Sequence, residues 1–185
     1  MKKIFVIAVM ALISAAAFAQ PKFAHVNFTE LVQLTPEADQ ARATIATATK
    51  EAQDTYQAMM EEYNTKYATY QQKASTWTAA ILDSKQKELV DIQTRIQEFE
   101  QTVQAELQQQ QQNLMAPIYQ KAQEQLNAIA KQDGYIYVFD TSSLVYYDAT
   151  QSVDITPKVR KALGIPDDRT LESLQAELQA QAQQQ

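Results

Sequence analysis

Residues 89–107 read LVDIQTRIQEFEQTVQAEL. Leu89, Ile92, Ile96, Phe99, Val103 and Leu107 recur at steps of three and four, the spacing of an apolar seam on a coiled-coil helix. The seam extends back to Leu82 and resumes at Leu114, Ile118, Ala122, Leu126 and Ile129. Upstream, a softer stripe runs through Ala38, Ala41, Ile45, Ala48, Ala52, Tyr56, Met59, Tyr63, Tyr67, Tyr70, Ala74, Trp77 and Ile81. Between Glu37 and Asp133 there is no Gly and one Pro, and Ala, Gln, Glu and Lys dominate, so the whole stretch favours helix.

The stripe changes character near its middle, from Ala and Tyr to Leu, Ile and Phe. We therefore place a reversal near residues 74–84 and read residues 37–133 as an antiparallel helical hairpin. No Gly, Pro or Asn-Gly marks the turn. Arms of about 38 to 50 residues reach roughly 55–75 Å at the helical rise, too long for one compact globule. Pro117 removes a backbone donor inside the returning arm and is a candidate hinge. The glutamines at 108–112 read as a solvated helix face.

Short β elements flank this insertion. Phe23 to Phe28 alternates, with Ala24, Val26 and Phe28 on one face, and reads as a strand. Thr29 to Leu34 reads as a short helix ended by Pro36, which makes residues 20–36 the first part of a small β body. Residues 134–164 supply the second part. Gly134 ends the hairpin, Tyr135–Phe139 and Leu144–Tyr147 read as two strands of a β-hairpin, and Thr156 caps a helix that has Pro157 at its first position and Gly164 at its end. In the tail, residues 165–185, Leu171, Leu174 and Leu178 suggest one short amphipathic helix. The fold class is α+β.

Three short strands cannot bury a sizeable core alone. Their many aromatic side chains argue that several subunits pool strands into one shared core. Its candidate members are Phe23, Val26, Phe28, Ile136, Val138, Leu144 and Tyr146.

The N-terminus reads as a cleaved secretory signal: Lys2 and Lys3, an apolar run from Ile4 to Ile13, and Ala17-Phe18-Ala19 at the cleavage site. Removing residues 1–19 leaves 166 residues with 14 basic and 22 acidic side chains, a formal charge of −8. The apolar run is short for a span of about 20 residues, and no later segment qualifies, so the mature chain is not membrane-spanning.

The 185 residues include no Cys, one His and two Gly. That excludes disulfides, thiolate chemistry, multi-histidine metal sites and Gly-rich phosphate loops, so no cofactor or metal is expected. The formal charge of −6 argues against nucleic acid as partner. His25 reads as a strand residue, and Asp140, Asp148 and Asp154 as turn and capping residues rather than acid–base groups. Ala41, Ile45, Ala48 and Ala52 read as a packed helix face, with few flanking cations and thus at most weak contact with a membrane surface.

The succession Phe-Ala-His-Val-Asn-Phe-Thr-Glu-Leu, long hairpin, Gly-Tyr-Ile-Tyr-Val-Phe-Asp, Leu-Val-Tyr-Tyr and Asp154-Ile155-Thr156 resembles the Skp/OmpH-like family of periplasmic chaperones over roughly Phe23 to Gly164. The resemblance implies a homotrimer with a small β-barrel body and three hairpin tentacles. The tentacles enclose unfolded outer-membrane proteins without ATP, and no enzymatic activity is implied. Better-known members are strongly basic. Here Glu37 to Asp133 holds 9 basic and 14 acidic residues, so no lipopolysaccharide-binding residues are carried over. Candidate client contacts are Met60 and Trp77, then Met59, Tyr63 and Tyr70, whose Met and aromatic side chains adapt to varied partners; hairpin packing is the competing role for each. The alternatives are a structural coiled-coil spacer or adaptor of the envelope, and a hydrolase built on the β-region aspartates.

Overall fold

The computed structural model describes residues 21–183, so the signal peptide read at residues 1–19 lies outside the described residues. The elements, in order, are β1 (Lys22–Val26), α1 (Phe28–Gln33), α2 (Pro36–Lys73), α3 (Ala79–Asp133), β2 (Tyr135–Asp140), β3 (Val153–Asp154), α4 (Thr156–Ala162) and α5 (Leu171–Ala182). Two compact units result. One ends at Thr35 and resumes at Lys121; the other is Pro36–Gln120.

The first unit holds a three-stranded sheet of order β2-β1-β3. Both pairings of β1 are parallel: Ala24 lies opposite Val138 on one side and Val153 on the other. The expected β-hairpin between Tyr135–Phe139 and Leu144–Tyr147 does not form. Leu144–Tyr147 pairs with nothing among the described residues, and Tyr146 is 83% exposed. The partner of β1 is instead the two-residue strand Val153–Asp154, and the Ile155 N–H continues the ladder onto the His25 carbonyl, 3.1 Å away. β-branched and aromatic composition favours a strand only where a neighbouring edge is within reach.

The first strand also stops earlier than its alternation suggests. Asn27 leaves the sheet to cap α1: its side-chain oxygen accepts from the Glu30 N–H at 3.1 Å, and its amide donates to the Glu30 carboxylate at 2.9 Å. Phe28 therefore opens a helix. Thr156 does not cap α4. Ile155 holds the cap position, Asp154 accepts the Thr156 N–H at 2.9 Å, and the Thr156 hydroxyl accepts the Asn27 N–H at 3.4 Å.

Two left-handed glycines end helices. Gly134 (φ 73°) follows α3, and Gly164 (φ 69°) follows α4. At Gly164 the Ile165 N–H bonds the Arg160 carbonyl (3.0 Å) and the Gly164 N–H bonds that of Lys161 (3.2 Å), a Schellman closure that tucks Ile165 inside. Helix α5 opens on a capping box between Thr170 and Ser173. The core of this unit includes Ala24, Val26, Leu31, Val32, Ile155, Val159, Leu163, Ile165 and Leu174, all buried.

The second unit contains α2 and the first part of α3. Pro36 opens α2, where its missing donor costs nothing. Helix α3 runs on through Pro117.

Leu31 is wholly buried in the first unit. Leu31→Ala is expected to lower unfolding stability by about 2–5 kcal/mol, read as a drop in the urea midpoint at constant protein concentration. An unchanged midpoint would place the stabilising core elsewhere.

Candidate functional site

The turn of the hairpin is built from side chains that carry no standard turn signature. A short 3₁₀ turn covers Ala74–Thr76, Trp77 is extended, and Thr78 starts α3 by accepting the Leu82 N–H on its carbonyl at 2.9 Å. The Thr76 hydroxyl donates to the Lys73 carbonyl (2.8 Å). The Trp77 ring meets Tyr70 edge-on with centroids 5.9 Å apart. The candidate client residue Trp77 is thus half-buried and partly occupied in closing the tip.

Below the tip, long polar side chains bridge the helices. Lys66 pairs with Glu88, which also takes Lys85 at 2.9 Å. Gln93 donates to the Tyr63 hydroxyl (2.9 Å), and Arg95 reaches Glu62 at 3.2 Å. Further down, the Tyr56 hydroxyl bonds Glu100, and that bond together with the carboxylate charge raises the Tyr56 pKa. Partner numbers rise on α3 as they fall on α2, so the helices run antiparallel. Tyr63 also stacks on Tyr67 with centroids 5.8 Å apart. Of the candidate contacts, Tyr63 and Tyr70 are therefore engaged within the hairpin, while Met59 and Met60 are half-buried.

The α3 seam is unevenly covered. Leu89, Ile92 and Ile96 are buried, Ile92 at 2% exposure. Phe99, Val103 and Leu107 are only half-buried. There α2 presents Thr49, Ala52, Gln53, Tyr56 and Gln57, and an open groove of about 760 Å³ remains between the helices. Regular seam spacing on α3 gave no sign of this gap, because it says nothing of which residues face it from α2.

The sheet body carries a different surface. Phe23, Tyr137 and Phe139 cluster on one face with centroids 6.0–6.3 Å apart. Tyr137 is 61% exposed, and Ile136, Val145 and Tyr146 are exposed too. Among the candidate oligomer residues, Phe23, Phe28, Val138 and Leu144 are half-buried and Val26 is already covered by its own chain, at 1% exposure. His25 is buried. Its Nδ1 lies 2.6 Å from the Ser152 hydroxyl, and its ring sits 4.8 Å from that of Tyr147. Ser152, which sequence reasoning did not single out, thereby ties the 144–152 loop to the central strand.

All three aspartates of the hydrolase alternative serve the backbone. Asp140 accepts from the N–H groups of Phe28 (3.3 Å) and Ser142 (3.1 Å). Asp148 accepts from the Thr150 hydroxyl (2.7 Å) and N–H (2.9 Å), which lower its pKa. Asp154 holds Thr156 as described. Among the described residues no group of three or more His, Asp or Glu could hold a metal ion, and no helix is long and apolar enough to cross a membrane.

A long antiparallel helix pair inserted between the strands of a small parallel sheet defines an α+β helical-hairpin protein. The sequence model of the OmpH-like outer membrane protein family matches residues 22–163, and the chain belongs to that family. No curated protein matches the chain by sequence. Among solved structures, a candidate outer membrane chaperone (OmpH-like) from Caulobacter crescentus CB15 superposes with a TM-score of 0.70 at 16% identity, covering 82% of this chain and 92% of that one. That likeness is one of fold.

The Lys66 and Lys85 ammonium groups hold the Glu88 carboxyl down at about 2. The contribution of Glu88 to hairpin stability should be complete above the ordinary carboxylate range and fade as pH falls through that value. Carboxyl NMR titration should place the Glu88 midpoint near pH 2, and Lys66→Met should move it upward. An ordinary midpoint in the unmodified chain would show that the bridge is not held in solution.

Proposed function

We propose that the protein is an ATP-independent holdase of the periplasm, exported by its cleaved signal peptide, which binds unfolded outer-membrane β-barrel proteins and keeps them from aggregating. The observation that carries this reading is the half-uncovered seam at Phe99, Val103 and Leu107. An isolated helical hairpin gains by covering such a stripe; here it remains open although the seam toward the tip, Leu89 to Ile96, is buried. Family membership supports a chaperone role. Met59, Met60, Trp77, Tyr63 and Tyr70 extend the contact surface toward the tip as adaptable, partly exposed side chains.

The exposed sheet face suits a second copy of the chain. Tyr137 and Phe139, stacked with Phe23, leave exposed aromatic surface on one face of the sheet, and Ile136 and Tyr146 are exposed as well. Assembly into a homotrimer would bury it and surround a client with three hairpins. Each contact with a client is weak, and retention comes from their number. Release follows when the insertion machinery offers stronger contacts.

Light scattering of an outer-membrane β-barrel protein diluted from urea tests the holdase. Suppressed aggregation near one trimer per client, without nucleotide, is expected. Undiminished aggregation in the presence of folded protein would favour the envelope spacer or adaptor.

Pro117, inside α3 and three residues before the boundary of the two compact units, is proposed as a hinge. Pro117→Ala restores one backbone donor. Hydrogen exchange over residues 113–121 should slow by about tenfold, which corresponds to one recovered helix bond; unchanged exchange would remove the hinge.

A further inference from the structure

We propose that the mid-hairpin groove selects cationic client segments, in which apolar residues are interspersed with Lys and Arg. This deepens the holdase reading and rests on it.

The apolar stripe of Phe99, Val103 and Leu107 is the wall of the groove. The opposite wall is Thr49, Ala52, Gln53, Tyr56 and Gln57, which leave the groove open. A second groove of about 230 Å³ opens between the same helices, and Ala52, Val103 and Leu107 line both. An extended segment laid along either opening would find apolar contact with these residues.

The charge around these openings has one sign. Glu100 lines the larger groove, and Glu51 and Glu106 line the smaller; no Lys or Arg lines either. Among the described residues, the nearby cation Lys50 is paired with Asp54 at 3.1 Å, and none of the three glutamates forms an ion pair. Glu100 instead accepts the Tyr56 hydroxyl, as the raised pKa of that phenol reflects. Lys66, Lys85 and Arg95 sit nearer the turn and are neutralised by Glu88 and Glu62.

An apolar floor edged by carboxylates that no cation neutralises discriminates by charge. A segment rich in Asp or Glu meets like charge, whereas one with Lys or Arg beside its apolar residues meets complementary charge. Apolar contact supplies most of the attraction, and the glutamates set which segments are accepted.

Fluorescence anisotropy of the full mature chain with two labelled, disordered peptides tests this. Both carry the same Tyr, Val and Leu residues. One is interspersed with Lys and Arg, the other with Asp and Glu. The cationic peptide should bind about tenfold more tightly at low ionic strength, with the difference shrinking as salt rises. The triple variant Glu51→Gln, Glu100→Gln, Glu106→Gln keeps side-chain volume and helix propensity. With its helicity confirmed by circular dichroism, it should bind both peptides alike. Equal affinities in the unmodified chain, or a preference that survives in the triple variant, would overturn the proposal. The scattering assay separates this from the broader reading: suppressed aggregation with no peptide preference keeps the holdase and removes the charge selection, while preference without suppression upholds the groove and removes the holdase.

Discussion

The body depends on the parallel pairing of β1 with two strands that arrive more than a hundred residues later. Lys22 lies opposite Tyr135, and Ala24 opposite Val153. A central strand with neither neighbour in place would leave its N–H and C=O groups unmatched in a buried setting. Parallel strands need a crossover, and here the crossover is the helical hairpin. Closure of so long a loop by a flexible chain costs entropy that grows with the logarithm of its length. A hairpin that has already formed its helices from local bonds leaves few degrees of freedom to lose when the strands meet. Sheet formation and hairpin formation are thereby coupled, and the non-local sheet is the slower partner.

Polar groups in the body are consumed in making that junction. Asn27 turns the chain from strand to helix. Asp140 secures the Phe28 N–H, and Thr156 accepts from Asn27. Lys158 pairs with Asp133 at 2.7 Å, tying the start of α4 to the end of α3. Asp148 accepts the N–H and hydroxyl of Thr150, and Asp154 accepts the Thr156 N–H, so these carboxylates too are engaged by turn and cap donors. His25 is committed in the same way, to Ser152 and to the Tyr147 ring.

The helices were readable because their signals are dense and local. Leu89, Ile92 and Ile96 lie on a seam that is indeed buried, and Gly134 and Gly164 occupy the left-handed positions that helix ends require. The sheet was less readable. Leu144–Tyr147 has stronger strand composition than Val153–Asp154, yet only the latter lies beside β1. Strand pairing depends on which edge the backbone brings near, and a single sequence does not encode that locally. The turn at Ala74–Thr76 lies where the change in stripe composition puts the reversal, but it has no local mark: Thr78 and the Tyr70–Trp77 contact do the work usually done by Gly or Pro. The groove was hidden because a regular seam at Phe99, Val103 and Leu107 says nothing of the side chains facing it on another helix.

A protein that keeps apolar surface uncovered must avoid sticking to itself. Phe99, Val103 and Leu107 lie among glutamates and glutamines, and the chain carries a formal charge of −6. Net charge of one sign opposes unspecific association of the hairpins, and carboxylates aid solubility more than cations do. Self-avoidance and client choice are then two effects of one arrangement. The carboxylates that prevent one acidic hairpin from filling the groove of another must also repel any acidic client. They leave the groove open to segments whose charge is opposite. A basic relative could avoid itself equally well, but its grooves would favour the opposite class of segment. Within one fold, the sign of the charge beside the seam can therefore set the range of clients without any change in the seam itself.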